Sequence, residues 1–453
     1  MDPTFRSKVK DSNNNPFVFT WFMLEGSMVA KNTNPEVTHP WISNLEMMQK
    51  YHGASLRRVR DEMSFHYHNW IWNDPDGNGI HHWNQSTTLS EYRDDFLQTV
   101  GHFIVDAQIM PASFRSGWHY MDNEWECLLD SLIPYRLQNA APAKHDDTTE
   151  PIDNIYDWSR AALEWIPYHP AGNDYQSKGS LRGWETRCIY MKSVITSSLA
   201  SPFLRAMGGE DQVLTIWSHL AESDFPEQII AVDSVLHRTA QYFPGVVFEY
   251  ATATGAMQKW RKTNDTTPPE IQTSIVSRPE EKIIVISTNE PIWQEAPLVF
   301  LKGNTDSLVQ VKADLWRNLT WRATIGSDIS SYHSAGIGVT DTSGNSATTL
   351  ISLTVSDVSQ EPETNAKTFR IHEAYPNPFN SSTMITFELP QEAFVRIIVY
   401  DILGREVRRL VNGAQRAGTH QVTLDASNLQ SGIYFCHADL GEWNDVQKLV
   451  YIR

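Results

Sequence analysis

The sequence predicts a multidomain protein in which an N-terminal α/β domain is followed by two all-β sandwiches. Three observations indicate this fold class. Apolar runs of strand length alternate with helical stretches over residues 17–260, short β-rich runs follow, and two polar, proline-containing segments at 264–269 and 356–365 divide the 453 residues. We therefore predict domains at 1–262, 263–358 and 359–453, with few contacts across the two dividing segments.

The first domain shows a βαβα alternation. Continuous apolar runs at 17–23 and 213–217 predict strands buried on both faces of a parallel sheet. Helical stretches are predicted at 41–52, 88–106, 122–132 and 227–243. Asp122 is expected to cap the third of these helices. The alternation indicates an α/β barrel or an open α/β sheet.

The second domain consists of short β-rich runs at the spacing of a sandwich. They lie at 283–286, 298–301, 308–311, 316–325 and 350–355, with a turn at 338–345. The segment is similar to the immunoglobulin-like spacers of bacterial surface proteins. We expect a spacer, with glycan binding as the alternative.

The composition excludes some classes of partner. A net charge of −17 without a basic stripe argues against binding to nucleic acid, whose phosphates need clustered lysine and arginine. No apolar run reaches the ~18 residues that a membrane-spanning helix requires. Sixteen tryptophans and sixteen tyrosines are many for this length, and such residues serve either core packing or the stacking of sugar rings.

The segment around two histidines carries the strongest chemical signal. On a strand, His66 and His68 point to the same face, where two imidazoles can ligate one metal ion. Arg115 lies at the end of a second predicted strand and His219 at the end of a third. Functional groups of parallel α/β proteins gather at the carboxyl ends of strands, so we expect these residues to lie close together.

Each of these residues also has a structural interpretation. The two histidines could be ordinary core or surface residues, Arg115 could form a structural ion pair, and His219 could bond only to the rim of the sheet. Other histidines, namely His81, His82 and His169, are expected to be solvated. The run from Trp72 to Asn78 contains Asp74 and Asp76 and could be a substrate or ion loop, although it lacks the twelfth-position glutamate of a calcium-binding hand.

The last domain contains a series of ordered motifs. They are Ala374-Tyr-Pro-Asn-Pro-Phe-Asn380, Val399-Tyr-Asp-Ile-Leu-Gly-Arg-Glu-Val407, Ala417-Gly-Thr-His-Gln-Val422, Ser431-Gly-Ile-Tyr-Phe435 and Lys448-Leu-Val-Tyr-Ile-Arg453. Val395, Ile397 and Val399 alternate with more polar positions, which predicts a strand, and Gly404 supplies a turn that needs positive φ. A small β-sandwich is expected.

The order and spacing of these motifs, over about 369–453, resemble the C-terminal sorting domain of the type IX secretion system. This resemblance implies export across the outer membrane by the type IX machinery, followed by attachment at the cell surface or release. An ordinary immunoglobulin-like module without a targeting role is the alternative.

The first domain has a resemblance of its own. An acidic pair, Asp61-Glu62, precedes His66-Tyr-His68, then Phe114-Arg-Ser-Gly-Trp118 follows, and a late strand ends in Trp217-Ser-His219. This order is similar to that of the metal-dependent polysaccharide deacetylase superfamily, which folds as a distorted (β/α) barrel. The resemblance covers most of 17–260 and implies acetylated polysaccharide as the substrate and a divalent metal, most simply zinc, as the cofactor.

The resemblance also implies roles for individual residues. His66 and His68 would be the paired metal ligands, although better-known members space theirs four residues apart. Arg115 would orient an acidic residue at the site, and His219 would be the general acid. Trp118 would form a wall of the substrate groove, and we expect Trp70 and Trp217 to bind substrate beside it.

The superfamily's first motif, a strand that ends in paired aspartates, has no counterpart in residues 1–16. Residues 1–10 also lack the apolar segment of a signal peptide. We expect that an N-terminal segment is missing and that this chain is weakly active or inactive; a degenerate, non-catalytic domain is the rival explanation. Two functions stay open: a secreted or surface carbohydrate deacetylase, and a non-catalytic surface glycan-binding protein or adhesin. A glycoside hydrolase is disfavoured, because no pair of carboxylates stands at predicted strand ends.

Overall fold

The computed structural model describes residues 3–27, 40–151, 155–278, 281–326, 331–353, 370–371, 374, 376–389, 393–402, 404–415, 418–439 and 444–452. The chain divides into two compact units, Met1–Thr354 and Val355–Arg453, and each is considered by itself.

The first part of the larger unit is an α/β layer. The strands of its central sheet and of one hairpin are β1 (Thr20–Glu25), β2 (Glu62–Tyr67), β3 (Trp70–Asn73), β4 (His82–Gln85), β5 (Ser113–Ser116), β6 (Tyr135–Asn139), β7 (Trp184–Tyr190) and β8 (Thr215–Trp217), and two short strand pairs, 144–145 with 156–157 and 170–171 with 174–178, lie outside them. Its main helices are α1 (Ser43–Val59), α2 (Leu89–Val105), α3 (Asn123–Leu132), α4 (Thr196–Met207), α5 (Phe225–Tyr242) and α6 (Ala253–Arg261). Four of these helices lie where the sequence predicts them, and Asp122 caps α3 by accepting the Trp125 N–H at 2.8 Å.

The central sheet has six parallel strands in the order β1-β2-β5-β6-β7-β8. This order follows the chain without a reversal, unlike a doubly wound sheet, and right-handed crossovers then place the connecting helices on one face. Among the described residues this is an open parallel sheet, and β1 and β8 are its two edges. For the same reason the prediction that both are buried on two faces is wrong: most of their residues are half-buried.

Helices α2 and α3 cover the sheet with aromatic side chains. Phe65 of β2 and Phe114 of β5 are adjacent in the sheet and meet Phe96 of α2 and Trp125 of α3, and all four are fully buried or nearly so. Burying an aromatic ring stabilises the fold by roughly 1.5–3 kcal/mol. This aromatic cluster therefore holds β2 and β5, the two strands that carry the predicted site residues, in a fixed position.

The second part of the larger unit is a β-sandwich. Its strands are β9 (Ile271–Arg278), β10 (Glu281–Thr288), β11 (Leu298–Gly303), β12 (Leu308–Val311), β13 (Ala313–Arg317), β14 (Thr320–Ile325), β15 (Tyr332–Thr340) and β16 (Ser346–Ser352). They form two antiparallel sheets, β9-β10-β14-β13 and β12-β11-β15-β16. Ile284 and Ile286 of the first sheet pack on Val299 and Ile337 of the second, so the predicted sandwich is present.

The sandwich packs closely on helix α2, and the expectation that few contacts cross segment 264–269 is wrong. Gly101 of α2 lies against Phe300, and Gly336 of β15 lies against Val105. Gln98 exchanges two hydrogen bonds with the backbone of Leu308, at 2.7 and 2.8 Å. Small residues on both sides let the helix approach the sheet, so residues on both sides of the segment share one compact unit.

The smaller unit is a second sandwich with its own core. Its strands are β17 (Arg370–Ile371), β18 (Ser382–Leu389), β19 (Ala393–Asp401), β20 (Glu406–Gln415), β21 (Gly418–Asp425), β22 (Gly432–Asp439) and β23 (Asn444–Tyr451), in sheets β17-β18-β21 and β20-β19-β22-β23. As predicted, Val395, Ile397 and Val399 are buried, and Gly404, at φ 74°, turns the chain from β19 into β20. The predicted dividing segment 356–365 lies outside the described residues.

We predict that Gly101→Leu separates α2 from the sandwich, because even a Cβ atom at this position would lie 2.7 Å from the Phe300 ring. Overpacking of this kind costs about 1–3 kcal/mol, so proteinase K should cut segment 264–269 several times faster than in the wild type. Gly326→Leu is the control, since a Cβ there meets no atom within 4 Å. Equal cleavage of Gly101→Leu and the control would contradict the proposed packing.

Candidate functional site

All but one of the predicted site residues line one cavity, which runs along the two edge strands and reaches the carboxyl ends of the parallel strands. Its volume is about 1540 Å³, and it extends between the two edge strands of the sheet. The residues that the sequence singles out and that line it are His66, His68, Arg115, Trp118, Trp217 and His219. Parallel strands place their carboxyl ends on one edge, which explains why residues from three separate strands converge here.

The two histidines face each other. His66 is the penultimate residue of β2, and His68 directly follows the strand. Their Nε2 atoms are 3.1 Å apart. His66 donates its Nδ1–H to the carbonyl oxygen of Arg115 at 2.8 Å, so its Nε2 carries the lone pair. Two nitrogens that share a tetrahedral ion at about 2.0–2.1 Å are about 3.3 Å apart, close to the observed separation.

Both imidazoles are neutral at ordinary pH. Loss of solvent on burial, reinforced by the Arg115 charge, lowers the pKa of His66 to about 3. Burial also lowers the pKa of His68 well below its usual value, with further contributions from His66, His219 and Arg115. Neutral imidazole is the form that binds a metal ion, so neither histidine has to lose a proton before a cation binds.

A tight turn after β5 shapes the wall beside the histidines. Trp118 and His119 have φ of 47° and 63°, a left-handed conformation that costs energy in residues other than glycine. The turn lays Trp118 edge-on against His68, with ring centroids 4.2 Å apart, while Trp70 stacks on the same imidazole at 4.1 Å. His68 is therefore held between two indoles, of which Trp118 also lines the cavity.

Arg115 forms part of the floor of the cavity. Its side chain is only 8% exposed, it donates to the Leu137 carbonyl at 2.9 Å, and its guanidinium stacks on the Trp217 ring at 4.3 Å. Within the residues that the structure describes, no carboxylate forms an ion pair with it. Among these residues, Arg115 is therefore not one half of a structural ion pair. A buried cation beside two neutral imidazoles favours the binding of an anionic group in the cavity.

His219 stands at the rim. Its side chain is 67% exposed, and Nδ1 is 3.3 Å from a carboxylate oxygen of Glu222. A hydrogen bond from Tyr190, at 2.6 Å, and others from Gln228 and Lys192 hold the pKa of Glu222 well below its usual range. Glu222 thus stays anionic and orients the imidazole, leaving Nε2 of His219 available to a bound molecule.

Sequence reasoning missed His119. Its Nδ1–H donates to the Gln138 carbonyl at 3.1 Å, and its Nε2 is 3.4 Å from a guanidinium nitrogen of Arg115. Burial lowers the pKa of His119 well below its usual value, so the neutral ring can accept from Arg115 and position it. The only signal for this residue was its place directly after Trp118, at the end of a predicted strand.

The acidic pair before the histidines does not belong to the site. Asp61 and Glu62 are at the amino end of β2, whereas His66 is at its carboxyl end. Asp61 is fully buried and forms an ion pair with Arg6. Glu62 accepts hydrogen bonds from the backbone and hydroxyl of Thr254 at the start of α6. Both carboxylates anchor the bottom of the sheet, and only their adjacency in sequence suggested a link to the metal.

The remaining candidates lie elsewhere. Asp74 and Asp76 bring carboxylate oxygens within 4.8 Å of Glu150, but Asp74 is engaged with the backbone of its own loop. His81 is exposed and His82 half-buried. His169 is not a simple solvated residue as expected, because it donates to the Gly183 carbonyl at 2.9 Å and packs on Trp184.

The histidine pair fits a divalent cation in part. Two neutral nitrogens converge, as a zinc ion requires, but no carboxylate joins them among the described residues. Residues 3–16 supply none: Pro3–Arg6 is a short helix, and Asp11 accepts from the backbone of Asn13 and Asn15 in a local turn. The described residues therefore offer two of the usual three protein ligands of a catalytic site.

Comparison with known proteins identifies the C-terminal domain. Residues 373–452 match the family model of the secretion system C-terminal sorting domain. A search of curated proteins found no match to the chain. In the described residues, no helix combines the length and the apolar character needed to cross a membrane.

Similarity to solved structures is weak. Dimeric latent PorU from Porphyromonas gingivalis is 14% identical over 42% of this chain and 21% of its own length, with a TM-score of 0.18. A DUF4785 family protein from Legionella pneumophila is 11% identical, over 41% and 58% of the two chains, with a TM-score of 0.17. Native alpha-2-macroglobulin from Escherichia coli is 10% identical, over 42% and 73%, with a TM-score of 0.16. These scores are too low to support a shared fold, and this chain spans about a fifth of the length of PorU.

The C-terminal match carries a direct consequence for localisation. Residues 373–452 are a type IX sorting domain, as the ordered motifs indicated, and the protein interacts with the type IX secretion machinery. The chain is thus a cargo of this system and is secreted or displayed at the cell surface.

We predict that Gly117→Ala displaces His68, because a Cβ atom at position 117 would lie 2.3 Å from Cγ of its imidazole. The Nε2 atoms of the pair would then separate, and zinc affinity, measured by titration against a chromophoric chelator, should fall by at least tenfold. Gly326→Ala is the control, since a Cβ there meets nothing. Unchanged zinc affinity of Gly117→Ala would show that the close packing of His68 is not needed for binding.

We also predict that residues 359–453, fused behind a signal peptide and a reporter, reach the surface of a bacterium with a type IX system. Removal of residues 444–453 should leave the fusion in the periplasm, because β23 supplies the buried Leu449 and Tyr451 to the core of the domain. Protease accessibility of the reporter on intact cells measures the outcome. Periplasmic retention of the full fusion would contradict the sorting role.

Proposed function

We propose that the α/β domain is a metal-dependent carbohydrate deacetylase-like domain that acts on acetylated polysaccharide outside the cell. The observation that carries this proposal is the convergence of His66 Nε2 and His68 Nε2, 3.1 Å apart, in a cavity that also contains Arg115 and His219. The motif order of the sequence supports the same function. The type IX sorting domain supports an extracellular substrate.

His66 and His68 would hold the metal ion, and zinc suits their nitrogen ligands. When bound, such an ion polarises a carbonyl group and lowers the pKa of a coordinated water. The fixed tautomer of His66, set by the Arg115 carbonyl, keeps one lone pair directed at the ion site.

The chain's own residues supply the rest. His219, oriented by Glu222, is placed to give a proton to a leaving amine or alkoxide. Arg115, held by Leu137, His119 and Trp217, offers positive charge to an anionic group in the cavity. Trp70 and Trp118 enclose His68 and present indole surface to a sugar ring, and Trp217 lines the same cavity.

A non-catalytic glycan-binding protein is the second candidate. It is favoured by the absence, within the described residues, of a carboxylate next to the histidine pair, since deacetylation needs a general base as well as metal ligands. The same consideration leads us to expect low activity from this chain. Metal binding and acetate release therefore separate the two candidates.

The first test is metal content. We expect the protein to bind zinc with at most one ion per chain, and His66→Ala and His68→Ala should each abolish binding, because one imidazole cannot hold the ion alone. His333→Ala, which changes an exposed histidine of the sandwich, should bind zinc as the wild type does. Mass-spectrometric metal analysis after dialysis gives the stoichiometry. Zinc binding that survives both histidine substitutions would overturn the metal assignment.

The second test is acetate release from acetylated xylan and from N-acetylglucosamine oligomers. His219→Ala should keep the zinc and lower turnover by about 10²-fold, the usual weight of a general acid. Glu222→Gln should lower it less, because it removes only the group that orients His219. Stoichiometric zinc without acetate release from either substrate would favour the glycan-binding function instead.

A further inference from the structure

A hairpin extends from the histidine pair to the surface. Strand β3 begins two residues after His68, and it pairs with β4 so that Trp72 stands directly opposite Trp83. Trp70 and Trp72 are two residues apart on one strand, so their side chains share a face, and the directly opposed Trp83 shares it too. One face of the hairpin thus carries three indoles.

This row of indoles is continuous with the cavity. Trp70 stacks on His68 at 4.1 Å and contacts Trp118, with ring centroids 5.0 Å apart. Trp72 is displaced from Trp70 by two strand residues, about 7 Å, and its ring centroid is 5.4 Å from that of Trp83. The outer pair therefore lies where a chain-like molecule leaving the cavity would pass.

The outer indole is exposed although it packs against a neighbour. Trp72 is 53% exposed, and among the described tryptophans only Trp316, in the sandwich, is comparably open at 46%. The hairpin tip is preorganised, because the Asp74 carboxylate accepts hydrogen bonds from the backbone of Gly77, Asn78 and Gly79. An exposed aromatic ring on a rigid support binds flat ligands at low entropic cost.

The charge around the pair limits the ligand. Asp74, Asp76 and Glu150 place carboxylate oxygens within 4.8 Å of one another at this end of the hairpin, which disfavours an anionic polymer. On the opposite face of the hairpin, the buried Asn84 donates to the side chain of Asn73 at 2.8 Å, which holds the two strands together behind the indoles. Indole faces close to carboxylates match the apolar faces and hydroxyl groups of neutral sugars.

We propose that Trp72 and Trp83 form a binding platform for a neutral or amine-bearing polysaccharide, outside the cavity and continuous with it. The substrate is then a polymer of several sugars and not a single acetylated sugar. This inference rests on the proposed function for the direction in which the polysaccharide runs, whereas the platform itself rests on the exposed Trp72 and the half-buried Trp83 beside it.

The test measures binding of N-acetylchitohexaose and cellohexaose by the full chain, with N-acetylglucosamine as the short ligand and polygalacturonate as the anionic one. We expect a hexasaccharide to bind at least tenfold more tightly than the monosaccharide, and polygalacturonate not to bind. Trp72→Ala should weaken hexasaccharide binding by about fivefold to tenfold, as loss of one aromatic contact does, and Trp72→Phe should recover most of it.

Trp316→Ala is the matched control, because it removes the other tryptophan that is exposed among the described residues, and its hexasaccharide affinity should equal that of the wild type. Trp83→Ala should weaken binding as Trp72→Ala does, with thermal unfolding measured to show that the protein stays folded. Absence of hexasaccharide binding by the wild type, or an affinity that neither Trp72→Ala nor Trp83→Ala lowers, would overturn the platform.

The same samples separate this inference from the proposed function. If the protein binds no zinc but its hexasaccharide affinity depends on Trp72, the platform stands and the deacetylase function fails. If zinc binds at His66 and His68 and acetate is released while affinity is independent of both indoles, the function stands and the platform fails.

Discussion

The site depends on the register between two parallel strands. Strands β2 and β5 pair so that His66 lies opposite Arg115, and the Nδ1–H of the imidazole bonds to the arginine's backbone carbonyl. A shift of either strand by one residue would turn its own side chain, His66 or Arg115, to the face where Phe65 and Phe114 now pack. The buried aromatic cluster between the sheet and helices α2 and α3 fixes this register. The position of the site residues therefore depends on the packing of the core.

Strand β2 separates structural from chemical roles along its length. At its amino end, Asp61 and Glu62 satisfy buried donors from Arg6, Trp21 and Thr254, which ties the start of the chain and the last helix of the domain to the sheet. At its carboxyl end, His66 and the following His68 face a cavity with no acidic partner among the described residues. The carboxylates at the amino end of β2 thus have bonding partners within the protein, whereas the histidines at its carboxyl end face a cavity that a ligand can enter.

The larger unit is more integrated than a chain of separate modules. Helix α2 covers the sheet with one face and contacts the sandwich with another, and Tyr135 of β6 donates to the backbone of Ser343 in the sandwich. The sandwich therefore supports the α/β layer from outside and is more than a spacer. The sorting domain, by contrast, has a core of its own, as expected of an element that is read by a secretion machinery.

Local patterns in the sequence determined much of this protein. The β19 alternation, the Asp122 cap and the four long helices follow from periodicity and capping, because each depends on residues close together in the chain. The sorting domain could also be predicted from the sequence, since each of its motifs is a continuous run of residues. Only the tertiary structure decided the relations between distant residues. Asp61 and Glu62 lie at the end of β2 away from the histidines, and His119 contacts Arg115. Strands β1 and β8 are the edges of the sheet, and the sandwich packs on α2. Each depends on strand pairing and on which end of a strand a side chain occupies, and a linear sequence does not specify either until the chain has folded.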